Sequence, residues 1–286
     1  MQRSGGADIP GAATTELPAL AGDRWRNAAE SLHAAVRVLG ALRAALTPRE
    51  KHWWHASLAF QARGVTTTPM PVPAGVIEAR LDFLDGHAAL LDSSGHAERW
   101  YLAGMSAARL AERLLTCVRR WGGIPELEPA QFGAAPLTEW SLRDAHEIFR
   151  VLSWSDSLLK AFRARQRRET SPVALWPHHF DVSLLWLTGR QVPDHDPVDE
   201  EAADEQMNFG CSLGAPDERP YLYVTCYPET EGWPGIELPA YAGWHDGQWR
   251  GVRIDYDALR VRSVSDGRLL ELMELLRSRG EAALGP

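Results

Sequence analysis

A chain of 286 residues, 45% hydrophobic and 24% charged, has the composition of a globular protein large enough to bury a substantial core. Its net charge of -8 argues against general binding to phosphate backbones or anionic membranes, and no apolar run approaches the length of a bilayer span. Cys117, Cys211 and Cys226 are widely spaced with no C-x-x-C pair, which argues against a disulfide framework or a thiolate zinc site and fits a reducing cytoplasm.

Residues 1–20 are rich in Gly, Ala, Thr and Pro without periodicity and read as a disordered tail, and Met1–Pro10 lacks the apolar core of a secretory signal. Trp25, Ala28, Leu32, Ala35, Leu39, Leu42 and Leu46 then form one stripe of a helix that Pro48 ends. Trp54, Ala56, Leu58, Phe60 and Ala62 alternate with Trp53, His55, Ser57, Gln61 and Arg63, the period of a strand with one polar face. A Thr/Pro loop leads to Ile77, Ala79, Leu81 and Phe83, alternating with Glu78, Arg80 and Asp82. Turn signals at Asp85-Gly86 and Ser93-Ser94-Gly95 make this an antiparallel meander to about Leu102. Ser106 caps a helix that Gly122-Gly123 stops, and a short strand is expected over Ile124 to Leu127.

The order then repeats. Ser141 caps a helix carrying Ile148, Leu152, Leu159 and Phe162, whose end is basic. Trp176-Pro177-His178-His179-Phe180-Asp181 opens a second histidine-marked strand that places His179, Asp181 and Ser183 on one face. An acidic loop over Asp194 to Glu205, a tyrosine strand from Tyr221 to Tyr227, a Pro/Gly/Trp loop, a strand at Val252 to Ile254 and a helix over Leu269 to Leu276 complete the chain. Aligning Ser57 with Ser183 pairs His55 with Asp181. The fold class expected is α+β: one domain over 21–286, a largely antiparallel sheet with helices on one face. It is built from two pseudo-symmetric helix–strands–helix halves, about 22–128 and 140–284.

The polar strand faces supply the candidate site: His55, Ser57 and Arg63; Glu78 and Arg80; His179 and Asp181; and Tyr221 and Tyr223. A solvated sheet face is the simpler account. Two histidines, nearby carboxylates and tyrosines on converging positions point instead to a cleft for a small molecule. Twelve tryptophans fit either core packing or an aromatic-walled pocket. His55 and His179 with Asp181 carry the donors for a divalent metal, although the spacing matches no metal motif. Gly210-Cys211-Ser212-Leu213-Gly214 matches G-x-S-x-G without the strand and helix a nucleophile elbow requires, so it reads as a turn.

His52-Trp53-Trp54-His55, Ala62-Arg63-Gly64-Val65-Thr66-Thr67, Ser171-Pro172-Val173, Leu175 to Asp181, Gly189-Arg190 and Asp204 to Gly210 resemble the signature blocks of a bacterial family, domain of unknown function 5996. The likeness runs from about Trp25 to the last helix. It implies a single-domain, soluble bacterial protein and brings no reaction with it. The family pattern has a bulky aromatic where Cys211 stands and a proline where Leu213 stands, which weakens a nucleophile built on this segment. The leading expectation is a small-molecule-binding protein with a polar aromatic cleft. The alternatives are a metal-dependent hydrolase or lyase using the same histidines, and a non-catalytic interaction protein. Nucleic-acid and membrane partners are not expected, and the sequence assigns neither a reaction nor an oligomeric state.

Overall fold

The computed structural model describes residues 16–20, 22–135, 137, 141–214, 218–230, 233 and 236–285. The first half opens with helix α1 (Arg24–Leu46) and a 3-10 segment (Lys51–Ala56). Strands β1 (Ala59–Gln61), β2 (Gly64–Thr66), β3 (Met70–Val72), β4 (Gly75–Asp82), β5 (His87–Asp92) and β6 (Ala97–Tyr101) follow, then helix α2 (Ala107–Arg120). The second half has α3 (Leu142–Arg163), β7 (Ala174–Trp176), β8 (Asp181–Gln191), the short α4 (Glu200–Ala203), β9 (Asp204–Ser212), β10 (Tyr221–Tyr227), β11 (Ala242–Asp246), β12 (Arg250–Asp255), α5 (Tyr256–Val261) and α6 (Asp266–Ala283).

Each half makes an antiparallel sheet. The orders are β1-β2-β4-β5-β6, with β3 also on β4, and β7-β8-β9-β10-β12-β11. The two meet at an isolated antiparallel bridge: Leu58 N–H donates to Leu175 O at 2.8 Å and Leu175 N–H to Leu58 O at 2.9 Å. The bridge joins Leu58 to Leu175, and Ser183 pairs with Ala174 inside the second sheet, so Ser57 and Ser183 do not meet across it. The expected α+β class with helix–strands–helix halves is the architecture observed.

Alternation decides which face is dry. In β4, Ile77, Ala79 and Leu81 are buried while Glu78, Arg80 and Asp82 are half-buried. In β10, Leu222, Val224 and Cys226 face the core, and the tyrosines and Thr225 face the other way. Helices α1 and α3 pack together, α1 on the first sheet, and α3 and α6 on the second. The buried apolar residues of both halves form one cluster, from Trp25 to Leu276. Ser106 and Ser141 cap their helices, accepting from the backbone N–H of Arg109 and Asp144. No helix among the described residues is long and apolar enough to cross a membrane.

Several expectations need correction. The His52–His55 block is not strand. His52 and Trp53 have φ of 49° and 58°, so the chain curls through the left-handed region; extended backbone begins only at Ser57, and strand β1 at Ala59. The apparent alternation there came from aromatic composition. His179 likewise lies in the turn before β8, exposed, because Phe180 has φ 56°. The segment 210–214 is not a glycine-bounded turn: Gly210, Cys211 and Ser212 end strand β9, whose alternation of Met207, Phe209 and Cys211 with polar residues went unread. Ile124 to Leu127 forms no strand, and β3 and β11 occupy stretches expected to be loop. Most of the expected tail lies outside the described residues. Its last five, 16–20, are seated: Leu20 is buried, Tyr256 donates to Pro18 O at 2.7 Å, and Arg219 to Leu20 O at 2.8 Å.

Helix α1 fixes the turn between β7 and β8 by close approach. A Cβ at Gly40 would lie 2.3 Å from Cγ of Pro177, and His33 Nε2 reaches Pro177 O at 2.8 Å. The rigid proline ring cannot yield, so Gly40→Val is expected to cost about 1–3 kcal/mol by overpacking. Urea unfolding of the variant against wild type checks this.

Candidate ligand site on the second sheet

Strand register lines up a row of polar-face residues across the second sheet. Ser183 lies opposite Gly210, Gly210 opposite Tyr223, and Tyr223 opposite Arg253; Ser212 lies opposite Tyr221. Asp181 begins β8 on the same face, two residues before Ser183. The Tyr223 hydroxyl reaches across β9 and donates a short hydrogen bond to Asp181 Oδ2. Glycine at 210 permits this, because a Cβ there would sit 2.3 Å from the Tyr223 hydroxyl. Asp181 is 6% exposed, and its Oδ1 is buried without a hydrogen-bond partner among the described residues. Burial, opposed by the Tyr223 hydrogen bond, raises the Asp181 carboxyl above its ordinary range. Burial, and then the neighbouring Asp181 charge, pushes the Tyr223 phenol well above its usual value.

An aromatic cluster continues from this pair. Trp249 stacks on Tyr221 at 5.9 Å between centroids and lies 6.1 Å from Tyr223, and Arg253 sits 3.8 Å over the Tyr221 ring. His245 packs on Trp249 at 4.1 Å. His245 also lines a cleft of about 340 Å³ between the 226–233 segment and the hairpin joining β11 to β12. Trp233 and Trp244 meet there edge to face at 5.6 Å. Arg250 bonds Asp246 at 2.9 Å and lies 3.9 Å from Glu229 on the rim. Composition foreshadowed an aromatic-walled pocket, but no motif marked these residues.

The remaining candidates are dispersed. His55 is buried in the 3-10 segment, stacks on Trp53 at 5.5 Å, and accepts the Glu50 N–H on Nδ1 at 3.2 Å. Burial lowers its pKa, which favours the neutral ring. Ser57 is buried and donates to Trp54 O at 2.8 Å. It is His52, not His55, that meets a carboxylate: Nε2 lies 2.9 Å from Asp204 Oδ2. No hydrogen bond or ion pair joins His55 to Asp181 among the described residues. His179 interacts with Asp181 through charge and tilts against His178 at 4.2 Å, and burial with this neighbour lowers His178 to about 4.

Glu78 and Arg80 stand on β4 of the first sheet, whereas Arg63, expected on a strand face with His55 and Ser57, lies in the β1–β2 turn. Arg80 grips Glu78 at 2.7 and 3.1 Å and holds its carboxyl below the usual range. Arg63 bonds Asp82 and Asp85, each at 2.6 Å. Arg63 and Arg80 line a second cleft of about 300 Å³ with His87 and Arg99. The metal donors proposed from sequence, His55, His179 and Asp181, do not gather. Among the described residues, the group whose ligand atoms come within 4.8 Å of one another is Asp82, Asp85 and His87. Arg63 already neutralises both of its carboxylates, and Asp82 Oδ1 accepts the N–H groups of Leu84 and Asp85. That arrangement is explained as the cap of the β4–β5 turn.

A family described as a family of unknown function (DUF5996) matches residues 17–282. No curated protein and no solved structure matches the chain.

The Asp181–Tyr223 pair yields a pH-dependent prediction. Tyr223→Phe deprives a buried carboxylate of its donor, at a cost of about 1–3 kcal/mol at neutral pH. The folded-state pKa of Asp181 is raised, so the penalty of burying its charge is present above that pKa. It is relieved as pH falls through that pKa towards the ordinary carboxyl range. The cost of Tyr223→Phe is therefore expected to shrink in acid. Urea titrations of both proteins at neutral and acidic pH measure this, and a pH-independent cost contradicts it.

Proposed function

The chain belongs to this family of unknown function, so its activity has to be read from geometry, and we propose that it is a small-molecule-binding protein. The site is the hairpin cleft of the second sheet. One observation carries the reading: the cleft of about 340 Å³ has two tryptophan walls and a rim of Glu229, His245, Asp246 and Arg250. That size and mixture suit a ligand with an apolar or planar body and a few oriented polar groups. Trp244 keeps 47% of its surface exposed at the mouth, an area a bound ring would cover. His245 and Trp249 link the cleft to Tyr221, Tyr223 and Asp181, the sequence-derived candidates that adjoin it. These residues support the cleft from behind and give its wall a rigid backing.

A metal-dependent hydrolase built on His55, His179 and Asp181 draws no support from this geometry, because His55 is held in the 3-10 segment by Glu50 and Trp53 and its ligand atoms do not gather with those of His179 and Asp181 among the described residues. A non-catalytic interaction protein calls for a contiguous exposed apolar patch. The exposed large apolar residues, such as Tyr101, Ile124, Val198 and Val261, come from different strands, loops and helices, and no observed contact joins them into one surface among the described residues.

Thermal-shift screening of wild type against a panel of planar and heteroaromatic metabolites is expected to yield at least one stabilising compound. Its affinity should fall about tenfold in Trp244→Ala, the loss of one aromatic contact worth roughly 1.4 kcal/mol. Arg250→Ala should weaken the same compound. Hits that bind both variants as tightly as wild type would place the ligand elsewhere.

A further inference from the structure

The 3-10 segment Lys51–Ala56 runs from the start of β9 to the edge of the second sheet, where Leu58 is bridged to Leu175 in β7. Its anchors define the path. His52 Nε2 meets Asp204 Oδ2 at 2.9 Å, and the His52 N–H donates to Glu200 Oε2 at 2.9 Å. Lys51 pairs with Glu169, whose carbonyl receives the Leu187 N–H. Asp204, Gln206 and Asn208 alternate along β9 on one face, and Leu187 stands opposite Gln206 on that face. The segment thus meets the polar side of the sheet at the start of β9, while Arg43 and Thr47 at the end of α1 hold its carbonyls at Trp54, His55 and Ser57.

Two features mark this cover as a poor permanent fit. His52 and Trp53, neither of them glycine, both hold positive φ, and the Trp53 ring is 48% exposed. On the polar face beside it, Gln206 Oε1, Asn208 Oδ1 and Trp176 Nε1 are buried without hydrogen-bond partners among the described residues, as is Trp54 Nε1 of the segment itself. Interiors that stay closed pair such groups. The ends, by contrast, are fixed: Thr47 N–H bonds Arg43 O at 3.0 Å at the end of α1, and Leu58 is bridged to Leu175.

We propose that residues 49–57 form a lid, hinged between Thr47 and Leu58, that opens without unfolding either sheet and uncovers this polar face to hydrogen-bonding guests. Opening breaks the ion pairs and hydrogen bonds to Glu169, Glu200 and Asp204 and the Arg43 and Thr47 hydrogen bonds to the Trp54, His55 and Ser57 carbonyls, all of which water can replace. The proposal is independent of the hairpin cleft, whose lining residues are all different.

Hydrogen exchange followed by NMR tests it on the full chain. In wild type, the His52 and Ser57 amides and the Trp54 and Trp176 indole N–H groups should exchange at least about tenfold faster than the amides of β9 and β10. Glu200→Ala and Asp204→Ala should each accelerate the lid signals a further several-fold and leave β10 unchanged. Trp53→Gly should exchange more slowly than Trp53→Ala, because both lose the ring but only glycine accepts the positive φ freely. Lid and indole signals exchanging at the β9–β10 rate in wild type would overturn the proposal, and that comparison requires no variant to fold. Tether variants that accelerate every amide equally would overturn it too.

Discussion

Two backbone hydrogen bonds between Leu58 and Leu175 join the two sheets edge to edge, and much of the molecule's arrangement depends on them. With the sheets joined there, α1 and α3 pack side by side on one surface and share one core. The chain entering the bridge from α1 must then pass over the second sheet. That passage brings the His52–His55 block against Glu200 and Asp204, residues about 150 positions away in sequence. Each half lends a segment to the other's surface: His52 is seated on Glu200 and Asp204, while the β7–β8 turn is clamped on α1 at Gly40 and His33.

The exposed sides of the sheets solve the problem of half-buried charge in different ways. On the first sheet, Arg63 and Arg80 pair with carboxylates beside them at partly solvated positions, where such pairs contribute little to stability. On the second, the buried Asp181 has no cation in direct contact among the described residues and relies on Tyr223, which itself relies on the absence of a side chain at Gly210. Removing any member of that set leaves a buried polar group unpaired or a ring displaced. The aromatic stack from Tyr223 through Trp249 to His245 carries this rigidity to the cleft wall.

Helices and strand faces were legible where the period was long and the caps local. The α1 stripe, the Ser106 and Ser141 caps, the Glu78-Arg80-Asp82 face and the tyrosine face of β10 all followed from spacing. The His52–His55 block misled because its conformation is set by acceptors on Glu200 and Arg43's reach to Trp54, contacts that sequence adjacency does not reveal. β9 was hidden by its two ends: acidic residues suggested a solvated loop and glycine a turn, whereas Gly210 is there to admit a ring from the next strand. The pairing of His55 with Asp181 failed because His55 lies in the 3-10 segment, held by the Glu50 N–H, whereas Asp181 begins strand β8. The cleft residues Trp233, Trp244 and Arg250 come from a loop and a hairpin with no periodic pattern to betray a common surface.

The central claim is that the hairpin cleft receives a small molecule. The chain's twelve tryptophans offer a direct readout, because each indole N–H gives its own resonance in a protein labelled with nitrogen-15 tryptophan. Addition of the dialysable small-molecule fraction of a cell extract is predicted to shift the Trp233 and Trp244 indole signals, with a smaller response at Trp249 behind them, and to leave Trp25 and Trp186 in the core unmoved. Spectra in which the cleft tryptophans stay fixed while indoles elsewhere shift would contradict the assignment of the site.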